Sequence, residues 1–149
     1  MEKIELHQDF KDFLRLLNSN TVEYLLVGGY AVGYHGYPRA TGDMDIWVAV
    51  SEVNAQKTAQ VLSDFGMPKE AVSRELFLEM DKVIRMGVPP VRIEVITGAS
   101  GVDFAECYSR REVIDIDGIP VNFISLKDLK VNKRAAGRHK DLEDLDHLP

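Results

Sequence analysis

Cysteine is almost missing: Cys107 is the single thiol in 149 residues. No intramolecular disulfide and no cysteine-rich zinc site can form, which suits a reducing cytoplasm, and Cys107 itself reads as a passive thiol. Long apolar runs are missing too. The longest charge-free stretch, Tyr24 to Pro38, is shorter than the ~20 apolar residues that cross a bilayer, and Gly28, Gly29, Gly33 and Gly36 interrupt it. The opening stretch MEKIELHQDF mixes charged and apolar residues and lacks the apolar centre of a signal peptide, which predicts a protein that is neither secreted nor inserted in a membrane. Positive charge is scarce. Eighteen Lys and Arg against 24 Asp and Glu leave a net charge of −6, which argues against wrapping a long nucleic-acid backbone while leaving room for local basic patches. There is no internal repeat, low-complexity tract or Pro/Ser-rich linker. With 45% hydrophobic and 28% charged residues, the chain has an ordinary globular composition, and its length predicts one domain over residues 1–149.

Periodicity supplies the elements. Phe10, Phe13, Leu14 and Leu17 recur at helical spacing, predicting a helix over residues 8–18, and Tyr24-Leu-Leu-Val27 reads as a buried strand ending at Gly28-Gly29. A short helix is expected from Tyr30 to His35 and a second central strand from Asp43 to Val50, and Ser51 is placed to cap a helix that ends at Gly66 and Pro68. Lys82 to Met86 and Val91 to Ile96 flank Gly87-Val-Pro-Pro90, and Glu112 to Ile116 and Ile119 to Ile124 flank Asp117-Gly118, a hairpin signal. Ser125 and Asp128 resemble a capping box for a helix to Ala136, Gly137 interrupts it, and Asp141 to Leu148 adds a last turn or two. The expected fold class is α+β, a mixed sheet flanked by helices.

The chemistry is concentrated between Val27 and Val48. Asp43 and Asp45 open a strand and, two apart, point to one face. Two close carboxylates raise one another's proton affinity unless a cation lies between them, and hard oxygen ligands of this kind suit Mg²⁺ or Mn²⁺. Asp115-Ile-Asp117 has the same spacing but runs into Gly118 and reads as a turn without chemistry. Asp43 and Asp45 differ from it by the Gly28-Gly29 pair upstream, because glycine lets backbone amides at a helix start approach a phosphate closely. Tyr34 follows Gly33 where a P-loop needs Lys, and no G-x-G-x-x-G spacing occurs, so P-loop and dinucleotide readings drop out.

Glu94 is a third carboxylate in an otherwise apolar strand. It either pairs with Arg92 or another cation, or completes a metal-binding triad with Asp43 and Asp45. From Lys127 to Lys140 six cations face one Asp, a net of +5. That face could meet a triphosphate through Lys133 and Arg138, or pair with the acidic residues Asp141, Glu143, Asp144 and Asp146. His7, His139 and His147 lack zinc-ligand spacing and read as surface residues; His35 and Tyr37 lie near the site without an assigned role.

The segments GGYAV, RATGDMDIWV, GVPPVRIEVITGASGVDF and ISLKDLKVNKRAAGRHKDLEDL together resemble the polymerase-beta-like nucleotidyltransferase superfamily, and within it small bacterial nucleotidyltransferases related to the abortive-infection toxin group. The resemblance covers about residues 20–148. It implies that Gly28 and Gly29 contact a nucleoside triphosphate, that Arg39 and Thr41 lie on a triphosphate-facing loop, and that Asp43 and Asp45 bind two Mg²⁺ or Mn²⁺ ions. Glu94 takes the place of the third catalytic carboxylate, often Asp in such proteins, and Gly29 stands where many have Ser. The expected activity is transfer of a nucleoside monophosphate to an acceptor hydroxyl with release of pyrophosphate. The alternative is a non-catalytic nucleotide-binding module acting with a partner, such as one half of a toxin–antitoxin pair, or as a homodimer. The choice among ATP, CTP and GTP is left open, as is the acceptor: a small molecule, a protein side chain or an RNA end.

Overall fold

The computed structural model describes residues 5–149; residues 1–4 of the charged opening stretch lie outside them. The chain runs α1 (Gln8–Ser19), β1 (Tyr24–Val27), α2 (Gly28–Tyr34), β2 (Asp43–Val48), α3 (Glu52–Phe65), β3 (Val83–Val88), β4 (Val91–Ile96), α4 (Phe104–Ser109), β5 (Glu112–Ile116), β6 (Ile119–Phe123), α5 (Leu126–Ala136) and α6 (His139–His147). Two short 3₁₀ turns, Lys69–Ala71 and Arg74–Phe77, link α3 to β3.

The six strands form one mixed sheet in the order β3-β4-β2-β1-β6-β5. β2 with β4 and β1 with β6 are parallel pairs; the hairpins β3–β4 and β5–β6 and the central pair β1–β2 are antiparallel. This is the expected α+β arrangement. All four residues of β1 are buried, as a strand between two neighbours requires. On α1 the apolar stripe Phe10, Phe13, Leu14 and Leu17 is buried, and Phe13 meets Phe65 at the end of α3 edge-on, with ring centroids 5.1 Å apart. On β2 residues alternate between faces: Met44, Ile46 and Val48 are buried, and Trp47, on the side of Asp43 and Asp45, packs edge-on against Phe104 of α4 at 5.1 Å.

Several boundaries differ from the sequence reading, each for a physical reason. β2 stops at Val48, because the buried Asn54 of α3 ties off both central strands: its amide donates to the Glu23 and Ala49 carbonyls at 3.1 and 2.9 Å, and its oxygen accepts from the Glu23 N–H at 2.8 Å. β3 continues through Gly87 to Val88, leaving Pro89-Pro90 as the turn; Gly87 has φ +79°, and a Cβ there would meet the Val91 carbonyl oxygen at 2.6 Å. α2 starts at Gly28 and α6 at His139, and α4 and the 3₁₀ turns were not expected. Asp115 and Ile116 close β5, and only Asp117-Gly118 is the turn, with the Asp115 carboxylate accepting from the Gly118 N–H at 2.8 Å.

Candidate active site

Strand register places the acidic residues. On parallel neighbours β2 and β4, Asp45 stands opposite Glu94 and Asp43 opposite Arg92, while across the antiparallel β1–β2 pair Asp45 stands opposite Val27, the last residue before α2. Three elements therefore converge on Asp45. Gly28 turns the chain from β1 into α2 with φ +68°, and an added Cβ would collide with the Asp45 carboxylate. A Cβ on Gly29 would press on Thr41 Oγ1 at 2.7 Å and approach the Arg39 guanidinium at 3.3 Å. Thr41 is fixed in turn, its Oγ1 donating to the Asp43 carbonyl at 3.2 Å. Gly28, Gly29, Arg39, Thr41, Asp43, Asp45 and Glu94 are thus brought together.

The carboxylates crowd one another. Burial, a hydrogen bond shared with Glu94, and the charges of Glu94 and Asp43 push the Asp45 carboxyl up to about 7, with Lys140 acting in the opposite direction. Asp43 and Glu94 meet arginines from the neighbouring strands. Arg92 forks onto Asp43 with Nε–Oδ1 2.7 Å and Nη2–Oδ2 3.1 Å, and its Nη2 lies 3.2 Å from Glu94 Oε1. Arg85 on β3, opposite Glu94 in register, adds Nε–Oε1 3.0 Å. Glu94 thus makes the ion pair with Arg92 that the sequence offered as one alternative to a metal-binding triad with Asp43 and Asp45, and it also stands opposite Asp45.

The basic segment divides into two parts. Lys133 is buried, 3.2 Å from Asp141 and 3.1 Å from Asp144, and Arg39 forks onto Asp144 with two contacts of 2.8 Å. These pairs anchor α6 to α5 and to the loop before β2, so the charge of Lys133 is already matched inside the protein. Arg138 also contacts Asp141, at 2.8 Å, but its side chain is 74% exposed. Its guanidinium also feels the charges of Asp45 and Glu94. Arg138 and Lys140, at the start of α6, are therefore cations of this segment whose charge acts on the carboxylates. Lys140, Arg85 and the fork of Arg92 were not singled out from sequence.

The His35 ring donates from Nε2 to the Ile124 carbonyl at 2.7 Å, tying α2 to the end of β6, and Tyr37 stacks on His147 at 4.2 Å. Cys107 is buried, and burial followed by the Asp128 carboxylate pushes its thiol up to about 12, which fits a passive thiol.

The donor set matches a hard divalent cation in chemistry: three carboxylates, one of them with its proton affinity raised by burial and by the negative charge beside it. As the side chains stand, Asp43 is engaged by Arg92. Among the described residues no three His, Cys, Asp or Glu side chains converge to hold a metal ion.

No protein-family model and no curated protein matches the sequence. Solved structures do. A candidate nucleotidyltransferase of Thermotoga maritima, TM1012, superposes with a TM-score of 0.63 at 15% identity, covering 92% of this chain and 88% of that one. The chain has a nucleotidyltransferase fold. An antigenic nucleotidyltransferase-like protein of Paracoccidioides brasiliensis superposes with a TM-score of 0.55 at 20% identity, covering 93% of this chain and 73% of that one. Among the described residues no helix is long and apolar enough to cross a membrane.

Proposed function

We propose that the protein is a metal-dependent nucleotidyltransferase, moving a nucleoside monophosphate from a triphosphate to an acceptor hydroxyl. The observation that carries this reading is the placement of Asp45 level with Glu94 on parallel β2 and β4, directly beside the helix start at Gly28. In the transfer, the acceptor oxygen bonds to the α-phosphorus and the bond from that phosphorus to the bridging oxygen breaks. Pyrophosphate leaves with the electron pair, and the hydroxyl proton passes to Glu94. Asp43, Asp45 and Glu94 would hold two Mg²⁺ or Mn²⁺ ions, which when bound supply positive charge to the attacking and leaving oxygens together. The Gly28 and Gly29 amides receive the triphosphate, with Thr41 and Arg39 beside them. Arg138 and Lys140 supply cations from the start of α6, while Lys133 acts by anchoring that helix. The sequence resemblance supports kinship with the abortive-infection toxin group and a role in a toxin–antitoxin pair, and the single thiol, Cys107, supports a cytoplasmic setting.

The test is incubation with each labelled nucleoside triphosphate in turn, with Mg²⁺ or Mn²⁺, in extract of the native cell, followed by identification of the labelled acceptor. Wild type should transfer label and release pyrophosphate; Asp43→Asn and Asp45→Asn should do neither. Glu94→Asp should keep measurable activity and Glu94→Gln should lose it, because ligand charge matters more than one methylene. Equal labelling by Asp43→Asn and wild type removes the proposal. Metal-dependent nucleotide binding without pyrophosphate release points instead to a binding module acting with a partner.

A further inference from the structure

The carboxylate cluster contains its own cation. Arg92 lies directly across the β2–β4 pair from Asp43, forks onto both of its oxygens at 2.7 and 3.1 Å, and reaches Glu94 at 3.2 Å with the same Nη2. One guanidinium thus engages two of the three side chains assigned to the metal. Both parallel N–H···O contacts use the planar fork that makes Arg–carboxylate pairs strong and directional. The fork occupies both Asp43 oxygens, and among the described residues no three His, Cys, Asp or Glu side chains are grouped to hold a metal ion. Lys140 also acts on Asp45, but through space and without a contact to any of the three carboxylates.

We propose that Arg92 is a resident counter-cation of the site: it neutralises Asp43 and Glu94 in the metal-free protein and must release Asp43 before a divalent cation can be held. This rests on the metal-dependent reading given above. Arg92 is a positioning residue in this scheme. It sets the threshold for metal entry, and its fork offsets the negative charge of Asp43 and Glu94 while the metal is away.

The experiment uses the full chain without nucleotide. Mn²⁺ binding is followed by the electron paramagnetic resonance of the free ion for wild type, Arg92→Gln, Arg92→Lys, Lys140→Gln and Asp43→Asn. Arg92→Gln should bind Mn²⁺ about three- to tenfold more tightly than wild type, since a competing charged fork is gone. Arg92→Lys, with charge but no fork, should fall between them. Lys140→Gln removes the same charge without freeing a ligand and should gain less than Arg92→Gln. In wild type the Arg92 Nε–H resonance should be protected from solvent exchange in EDTA and lose that protection as Mg²⁺ is added. Equal gains for Arg92→Gln and Lys140→Gln, or an Arg92 resonance that Mg²⁺ leaves unchanged while Asp43-dependent metal binding occurs, overturns the counter-cation role alone. If no variant differs from wild type and Asp43→Asn binds Mn²⁺ as well as the rest, the metal-dependent reading fails and this inference falls with it.

Discussion

Replacing Asp45 by Asn in metal-free protein should stabilise it, and increasingly so as pH rises. The Asp45 carboxyl is pushed from its ordinary 3.8 up to about 7 by burial and by Glu94 and Asp43. A carboxyl whose folded value lies above its unfolded value costs nothing below pH 3.8. It costs progressively more as pH rises, because the unfolded chain gives up its proton first. With 1.36 kcal/mol per pH unit, the cost is about 1.5 kcal/mol at pH 5 and about 4 kcal/mol at pH 8. Asn has nearly the same shape, cannot ionise, and can donate to Glu94 as the protonated carboxyl does. Its advantage over wild type should therefore grow by about 2.5 kcal/mol between pH 5 and pH 8, a further 5 to 10 °C in melting temperature. The assay is thermal unfolding of both proteins in EDTA across that range. Pairwise differences remove every titration the two proteins share, and any fixed packing effect of Asn cancels in the increment. An increment below about 1 kcal/mol, or an advantage that shrinks with pH, would show that the carboxylates are not crowded and refute the argument. Adding Mg²⁺ with a triphosphate should reverse the order, because ligand at about 100 times its dissociation constant stabilises wild type by roughly 2.7 kcal/mol.

Gly28→Ala should cost about 2 kcal/mol or more, since φ there is +68° and the new methyl collides with Asp45; a melting temperature equal to wild type would show that the close approach is not real. Lys133→Met should lower stability by about 3 to 5 kcal/mol by leaving Asp141 and Asp144, only 1% and 2% exposed, short of a buried cation. Burial opposes the charge of these two aspartates, yet Arg138, Arg39 and Lys133 hold both carboxyls below their ordinary range. The stability they contribute is therefore present above that range and lost as pH falls through their lowered values, so urea midpoints in acid should fall less for Lys133→Met than for wild type. Cys107 should resist alkylation at pH 8 in the folded protein and react freely in denaturant, because its thiol is pushed up to about 12; rapid labelling of the native protein would place it at the surface.

Elements with a strong local pattern were readable. The α1 stripe, the all-apolar β1 and the two hairpins each bury what their spacing marks for burial. The convergence of Gly28 with Asp43 and Asp45 was also legible, because one short connection holds all three. Glu94 needed the fold: only the parallel β2–β4 register sets it level with Asp45. Strand ends were misplaced where a distant side chain decides them, as Asn54 does for β2. α4 is a short helix whose start depends on the Asp103 carboxylate accepting from the Glu106 N–H at 3.1 Å, too small a signal to separate from a loop. The split among the cations was hidden for a similar reason, since Lys133 and Arg138 look alike in sequence and differ only in which of them α6 covers.

That split bears on how an acidic chain could take a triphosphate at all. Its positive charge near the site is sorted by depth. The deep cations, Lys133 and Arg39, are neutralised by Asp141 and Asp144 and fix α6 in place. Arg92 and Arg85 sit at the middle level, on the carboxylates themselves. Arg138, with its exposed side chain, and Lys140 lie at the surface, and both interact through space with the site's negative charge. On the proposed reading, an incoming triphosphate would meet Arg138 and Lys140 first, while Arg92 offsets the charge of Asp43 and Glu94 until metal is bound. The rest of the sequence carries the negative excess, which argues against wrapping a long nucleic-acid backbone. On the same proposed reading, a preference for a compact polyanion carried with its own metal would rest on the placement of a few charges on α6 and β4, and not on the sign of the net charge.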